Sequence, residues 1–117
     1  MISKPGLAVL AAAAALAAGP ALAQVVHPKL APGVTAAPAY VAPKGGYVVT
    51  NGARLFKQPA WLPGTETGVE LKRGEHPQVL AETDEGLWLL IGRGGQGIGY
   101  ASRSLLCPAK TCTDVKS

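Results

Sequence analysis

From Gly46 to the end of the chain, no apolar pattern at helical spacing persists for ten residues. Short runs of Val, Leu, Ile and aromatic residues are instead cut every few positions by Gly, Pro, Asn or Asp. A helix needs its apolar stripe to recur at i, i+3, i+4 and i+7, whereas a strand needs only four to eight residues between turn signals. This segment is therefore restricted to short strands. The expected pieces are 47–50, 53–57, 69–72, 78–83, 87–91 and 98–102, with a short closing turn or strand at 104–106. Asn51-Gly52, Arg73-Gly74, Asp84-Glu85-Gly86 and Arg93-Gly94-Gly95-Gln96 supply turns, and Gln58–Thr67, carrying Pro59, Pro63 and Gly64, reads as a loop. The run at 87–91 is the most hydrophobic and is expected to be central.

About sixty residues with five or so short strands cannot bury enough apolar surface as a flat sheet, so a small closed or semi-closed barrel is the economical fold. Its core candidates are Leu55, Val69, Leu71, Val79, Leu89, Ile91, Ile98, Ala101 and Leu105.

What precedes the strands is different in kind. Lys4 supplies positive charge, residues 7–18 form an uncharged apolar run, and Ala21-Leu22-Ala23 gives the small-x-small pattern of a signal-peptidase site. Residues 1–23 read as a signal peptide cleaved before Gln24. The run is shorter than the roughly 20 residues that span a bilayer, so no stable membrane span is expected after cleavage. The alternative is retention as an anchor helix. No cysteine follows Ala23 to carry a lipid. The expected location is the periplasm or the extracellular space.

Residues 24–45 contain Pro28, Pro32, Pro38 and Pro43. Proline fixes φ and removes an amide donor, so this stretch reads as a flexible, extended linker. The organisation expected is signal peptide 1–23, linker 24–45, barrel 46–107 and C-terminal tail 108–117.

Much of the 48% hydrophobic content is alanine in the leader, and the formal charge of +4 is mild. No Lys or Arg stripe forms, which argues against nucleic acid as a partner. The two cysteines, Cys107 and Cys112, are separated by four residues including Pro108. In an oxidising compartment they are expected to form a disulfide, worth about 2 kcal/mol for so short a loop. Two thiols without nearby His or further Cys make no zinc site, and the spacing is not C-x-x-C. No metal and no cofactor is expected.

The order of pieces resembles bacterial Src homology 3 (SH3-like) domains over residues 47–106. Asn51-Gly52-Ala53-Arg54-Leu55 is similar to the family's opening segment, and Gln58-Pro59 stands where the family has a polar-proline turn. Val69-Glu70-Leu71-Lys72-Arg73-Gly74 resembles its apolar-x-apolar-x-x-Gly segment. Gln78 to Glu82, Gly86 to Ile91, Gly97-Ile98-Gly99-Tyr100-Ala101 and Ser104-Leu105-Leu106 follow in family order. Three departures stand out: Ala53 rather than Val before Arg54, Leu87 between Gly86 and Trp88, and a long loop with its own Trp61. The resemblance implies an all-β, five-stranded SH3-like barrel acting as a non-catalytic binding module of the bacterial cell envelope. Such domains tether proteins to peptidoglycan.

Under that resemblance Trp88 lies at the barrel's edge, where its ring lines a shallow groove or packs over the open end. Tyr100 and Trp61 would join it in a ligand-binding groove. The expected partner is peptidoglycan, through its peptide, or else an envelope protein docking on a monomer. Glu82, Asp84 and Glu85 form the acidic cluster and read as a solvated turn rather than an acid–base pair. Gly92 to Gly97 reads as a hairpin turn, since strands flank it where a phosphate loop needs a helix. His27 and His76 share no motif with a carboxylate or thiol. With no nucleophile motif either, no enzymatic activity is expected.

Overall fold

A computed structural model describes residues 24–112. The expected signal peptide, 1–23, and the end of the tail, 113–117, lie outside the described residues.

The fold is all-β, with eight strands and one turn of 3-10 helix among the described residues. The strands are β1 (Lys29–Leu30), β2 (Tyr47–Val49), β3 (Ala53–Phe56), β4 (Glu66–Leu71), β5 (Gln78–Thr83), β6 (Trp88–Arg93), β7 (Gln96–Ser102) and β8 (Leu106–Pro108). The 3-10 turn, Arg103–Leu105, starts where the Ser102 side chain accepts from the Ser104 backbone N–H. Strand order in the main sheet is β4-β3-β7-β6-β5, antiparallel throughout, with β1 added in parallel to β7. β2 and β8 form a separate antiparallel pair.

The expected closed or semi-closed five-stranded barrel is seen in its coarser terms, as an all-β, mostly antiparallel fold. The pairing is an open path ending at β4 and β5, not a ring. Curvature comes from register shifts between Arg54 and Phe56, Val79 and Ala81, and Ile91 and Gly92. Each extra residue bends its strand and increases the local twist. The β6–β7 hairpin closes as expected at Gly94-Gly95, both at positive φ (64° and 81°), which a tight two-residue turn requires.

All nine core candidates lie in one apolar cluster. Leu55, Leu71, Leu89, Ile91 and Ala101 are buried in it, with Val69, Val79, Ile98 and Leu105 packed at its margin. Tyr47, Val49, Ala53 and Leu106 complete it.

A second cluster fills the opposite face of the sheet: Tyr40, Phe56, Ala81, Trp88, Leu90 and Tyr100. Its cover is the stretch 24–45, which is a folded strap and not a free spacer. Val26, Leu30, Val34 and Ala37 pack onto the sheet from it. The strap first pairs with itself, Val25 opposite Val41, and then with the β5 edge, Val41 opposite Glu82. Between its prolines, amides that remain free to donate find partners: Ala31 N–H to Gly97 O (2.8 Å), Thr35 N–H to Lys57 O (2.9 Å) and Val41 N–H to Glu82 O (2.9 Å). Prolines prevent a continuous ladder but permit these single bonds.

A chain of hydroxyls locks the strap in place. The Tyr100 hydroxyl donates to Thr35 O at 2.6 Å, which uses its one proton. Tyr40, 2.6 Å from it, must then be the donor in their shared hydrogen bond, and Tyr40 in turn accepts from the Ala37 backbone N–H at 2.9 Å.

Candidate functional site

Trp61 and Trp88 are brought together, as expected of a shared groove, but in unequal roles. Trp88 opens β6 and is 6% exposed, whereas Trp61 is 59% exposed on the loop between β3 and β4. Their ring centroids are 5.1 Å apart. Phe56, which the sequence reading passed over, supports both, edge-on at 5.4 Å from Trp61 and 6.1 Å from Trp88. Edge-to-face pairs of this kind add to the area they bury.

The loop that presents Trp61 is tied internally. Lys57 N–H donates to Thr65 O (2.7 Å), Thr65 N–H to Leu62 O (3.1 Å) and Gly64 N–H to the Glu66 side chain (2.9 Å). Leu62, beside the ring, is also exposed.

Tyr100 does not line this ledge. It is fully buried in the second cluster, with its hydroxyl turned to the strap. The expected three-residue groove is corrected to a ledge of Trp61 over Trp88 and Phe56.

Beside the ledge lies a cleft of about 490 Å³ between the strap (Pro38, Ala39), the Trp61 loop (Pro59) and the β5–β6 turn (Thr83, Asp84, Glu85). The turn is unusual, because Asp84 and Glu85 both take positive φ (55° and 56°) ahead of Gly86. Side chains beyond Asn, Asp and Gly rarely adopt that conformation.

The acidic cluster divides. Asp84 and Glu85 are exposed on the turn, as expected, while Glu82 is buried. Its Oε2 accepts from the Tyr47 hydroxyl and from the Lys44 backbone N–H, each at 3.1 Å. Buried carboxylates are tolerated only with such donors. His27 and His76 are both exposed. Among the described residues, no group of three or more His, Cys, Asp or Glu side chains could hold a metal ion. Cys107 and Cys112 form the expected disulfide, with Cα atoms 5.6 Å apart. No helix among the described residues is long and apolar enough to cross a membrane.

Two buried phenols respond to pH. Burial, then the Glu82 charge and hydrogen bond, raise the Tyr47 pKa from its ordinary 10.0, with Arg103 opposing. Burial raises that of Tyr100 further. The folded chain thus holds these protons where the unfolded chain has lost them. The resulting stability is complete below the ordinary tyrosine pKa of about 10 and is lost as pH rises through the folded values. Urea unfolding between pH 9 and 11.5 is expected to show stability falling above about pH 10. Tyr100→Phe should flatten that fall while lowering stability at neutral pH, and an equally steep fall in the variant would refute the assignment.

Comparisons of the chain with protein-family models, with curated proteins and with solved structures each found no match.

Proposed function

We propose that this chain is an exported, non-catalytic binding module of the bacterial cell envelope, built as an SH3-like barrel, that recognises peptidoglycan through its peptide. The leader 1–23 directs export and is cleaved, and the module acts as a monomer without cofactor or nucleic acid. The observation that carries this reading is Trp61. A tryptophan 59% exposed, held on a hydrogen-bonded loop and backed by two buried aromatic rings, offers a rigid contact surface to a ligand. The adjoining cleft, with two prolines on its walls and two carboxylates on its turn, gives room for an extended peptide bearing an amine.

The test is co-sedimentation of the exported chain with purified sacculi. Saturable binding is expected, and Trp61→Ala should weaken it by about 30-fold, as for an aromatic hot spot. Trp61 is exposed, so the variant keeps its fold, whereas removing the buried Trp88 would confound binding with stability.

Exposed Leu62 beside Trp61 favours a second reading, an envelope protein docking on the same ledge as part of an assembly. Absence of saturable sedimentation at modest salt would reject the wall reading. A Trp61-dependent protein partner from envelope extracts would then support the second.

A further inference from the structure

At the β2–β8 pair, the fold gathers positive charge that the sequence scatters. Tyr47 lies opposite Pro108, and Ala109 N–H donates to Gly46 O at 2.9 Å. The Cys107–Cys112 bridge folds the following residues back, with Thr111 N–H and Cys112 N–H both donating to Pro108 O (3.1 and 2.9 Å). That closed loop presents Lys110. From the 3-10 turn, the Arg103 guanidinium sits over the Tyr47 ring, 5.6 Å from its centroid. From the strap's end comes Lys44, its backbone N–H fixed on Glu82.

Together they form a cleft of about 160 Å³, rimmed by Lys44, Arg103 and Lys110 and floored by Gly45, Gly46 and Tyr47. All three cations are exposed. Neither lysine ammonium has an ion-pair partner among the described residues. None of the residues lining this cleft is acidic, which leaves its rim in positive excess, while Lys44 also borders a neighbouring cleft with Glu82, Asp84 and Glu85. A Cβ at Gly45 would meet nothing within 4 Å, and one at Gly46 only Ala109 Cβ at 3.9 Å, so the floor is open to a ligand.

The geometry points to an oxyanion site that binds a phosphate group. Three cations gathered around one cleft, with only the Tyr47 ring against Arg103 among the described residues, repel one another, and an anion that neutralises them relieves that cost. A phosphate offers more oxygens and more charge than a carboxylate. It suits a planar guanidinium fork set between two ammonium point charges. The phosphate comes from a soluble or polymer-borne ester or from a lipid headgroup, and both present the same chemistry. None of the residues lining this cleft belongs to the Trp61 ledge. The inference therefore stands apart from the wall-binding reading.

The test is amide NMR of the exported chain titrated with inorganic phosphate, with chloride holding ionic strength constant. Saturable shifts are expected at Gly45, Gly46, Ala109 and Lys110. Lys110→Gln and Lys44→Gln should each weaken binding by about tenfold. Arg103→Lys, which keeps the charge but loses the fork, should weaken it severalfold. Flotation with phosphatidylglycerol or phosphatidylcholine vesicles separates the sources. Retention on the first alone that Lys110→Gln abolishes assigns the phosphate to a headgroup, and no retention with phosphate still saturating assigns it to a soluble or polymer-borne ester. Shifts no larger than those from chloride, shifts unchanged by Lys110→Gln, or vesicle retention insensitive to that substitution would overturn the site.

Discussion

A chain shortened to begin at Lys44 is expected to lose its cooperative thermal transition and to elute from gel filtration as aggregate. The strap it lacks covers one whole face of the sheet. Without it Phe56, Leu90 and Tyr100 face water, and Val26, Leu30, Val34 and Tyr40 no longer pack on them. A fully buried large apolar side chain contributes roughly 1.5–3 kcal/mol. With three of those four strap residues only partly buried, the loss is on the order of 5 kcal/mol, comparable to the whole stability of a small domain. Polar groups lose partners as well: the Tyr100 hydroxyl, the Thr83 hydroxyl that donates to Ala39 O (2.7 Å), and the Glu82 backbone on the β5 edge. An uncovered sheet edge next to an apolar face is a template for association.

A spacer would behave otherwise, since trimming it would shorten reach and leave the melting temperature untouched. Tyr40→Ala gives the same test without truncation and should cost about 3 kcal/mol, as large aromatic-to-alanine changes in cores do. An unchanged midpoint in either variant would mean that the strap is not part of the folding unit.

The strap also shows where sequence reasoning stops. Alternation carried the first face: Leu55, Leu71, Leu89, Ile91 and Ala101 sit at strand positions whose partners point one way, and all are buried. Turn chemistry carried the hairpin at Gly94-Gly95 and the bounds of β5. The second face was hidden because its cover is irregular. Four prolines in 24–45 exclude a ladder, yet a stretch without a ladder can still pack. Two signals point to that packing. β6 reads Trp-Leu-Leu-Ile without alternation, and a strand apolar on both faces needs cover on both. Within the strap, Val26, Leu30, Val34, Ala37 and Tyr40 keep apolar or aromatic side chains among the prolines, and each packs on the sheet. The site was legible to the same degree. Trp61 and Trp88 are partners in the fold, but the parity of Tyr100 along β7 turns it under the strap. The cation cleft joins residues far apart in the chain, and only the β2–β8 pairing and the disulfide bring them together.

Gly99→Ala is expected to lower stability by about 2–3 kcal/mol, the upper range for overpacking a core, and Gly99→Val by more. Gly99 lies on β7 opposite Ile91, beside the place where Phe56 of β3 pairs with Tyr100. A Cβ there would stand 2.9 Å from Leu55 Cβ, 3.1 Å from Thr67 Cγ2 and 3.2 Å from Phe56 O. Leu55 Cβ is bonded directly to the β3 backbone and the carbonyl belongs to it, so no rotamer change makes room. The strands must separate, and the β3–β7 seam is the one that joins β3 and β4 to the rest of the sheet. Other glycines supply the contrast. At Gly92 the nearest atoms are Leu80 Cγ and Cδ1 and Gln78 Oε1, at 2.6 to 2.8 Å, all on side chains, Gln78 exposed and Leu80 half-buried against the second cluster, which can shift where the β3 backbone cannot. At Gly94 nothing lies within 4 Å, and alanine there meets only the strain of positive φ, about 1 kcal/mol. Urea unfolding of the three alanine variants should therefore rank Gly99 well above Gly94. If Gly94→Ala proved the more damaging, the close approach of β3 to β7 would be wrong, and with it the seam that sets Phe56 beneath Trp61 and Tyr100 beneath the strap.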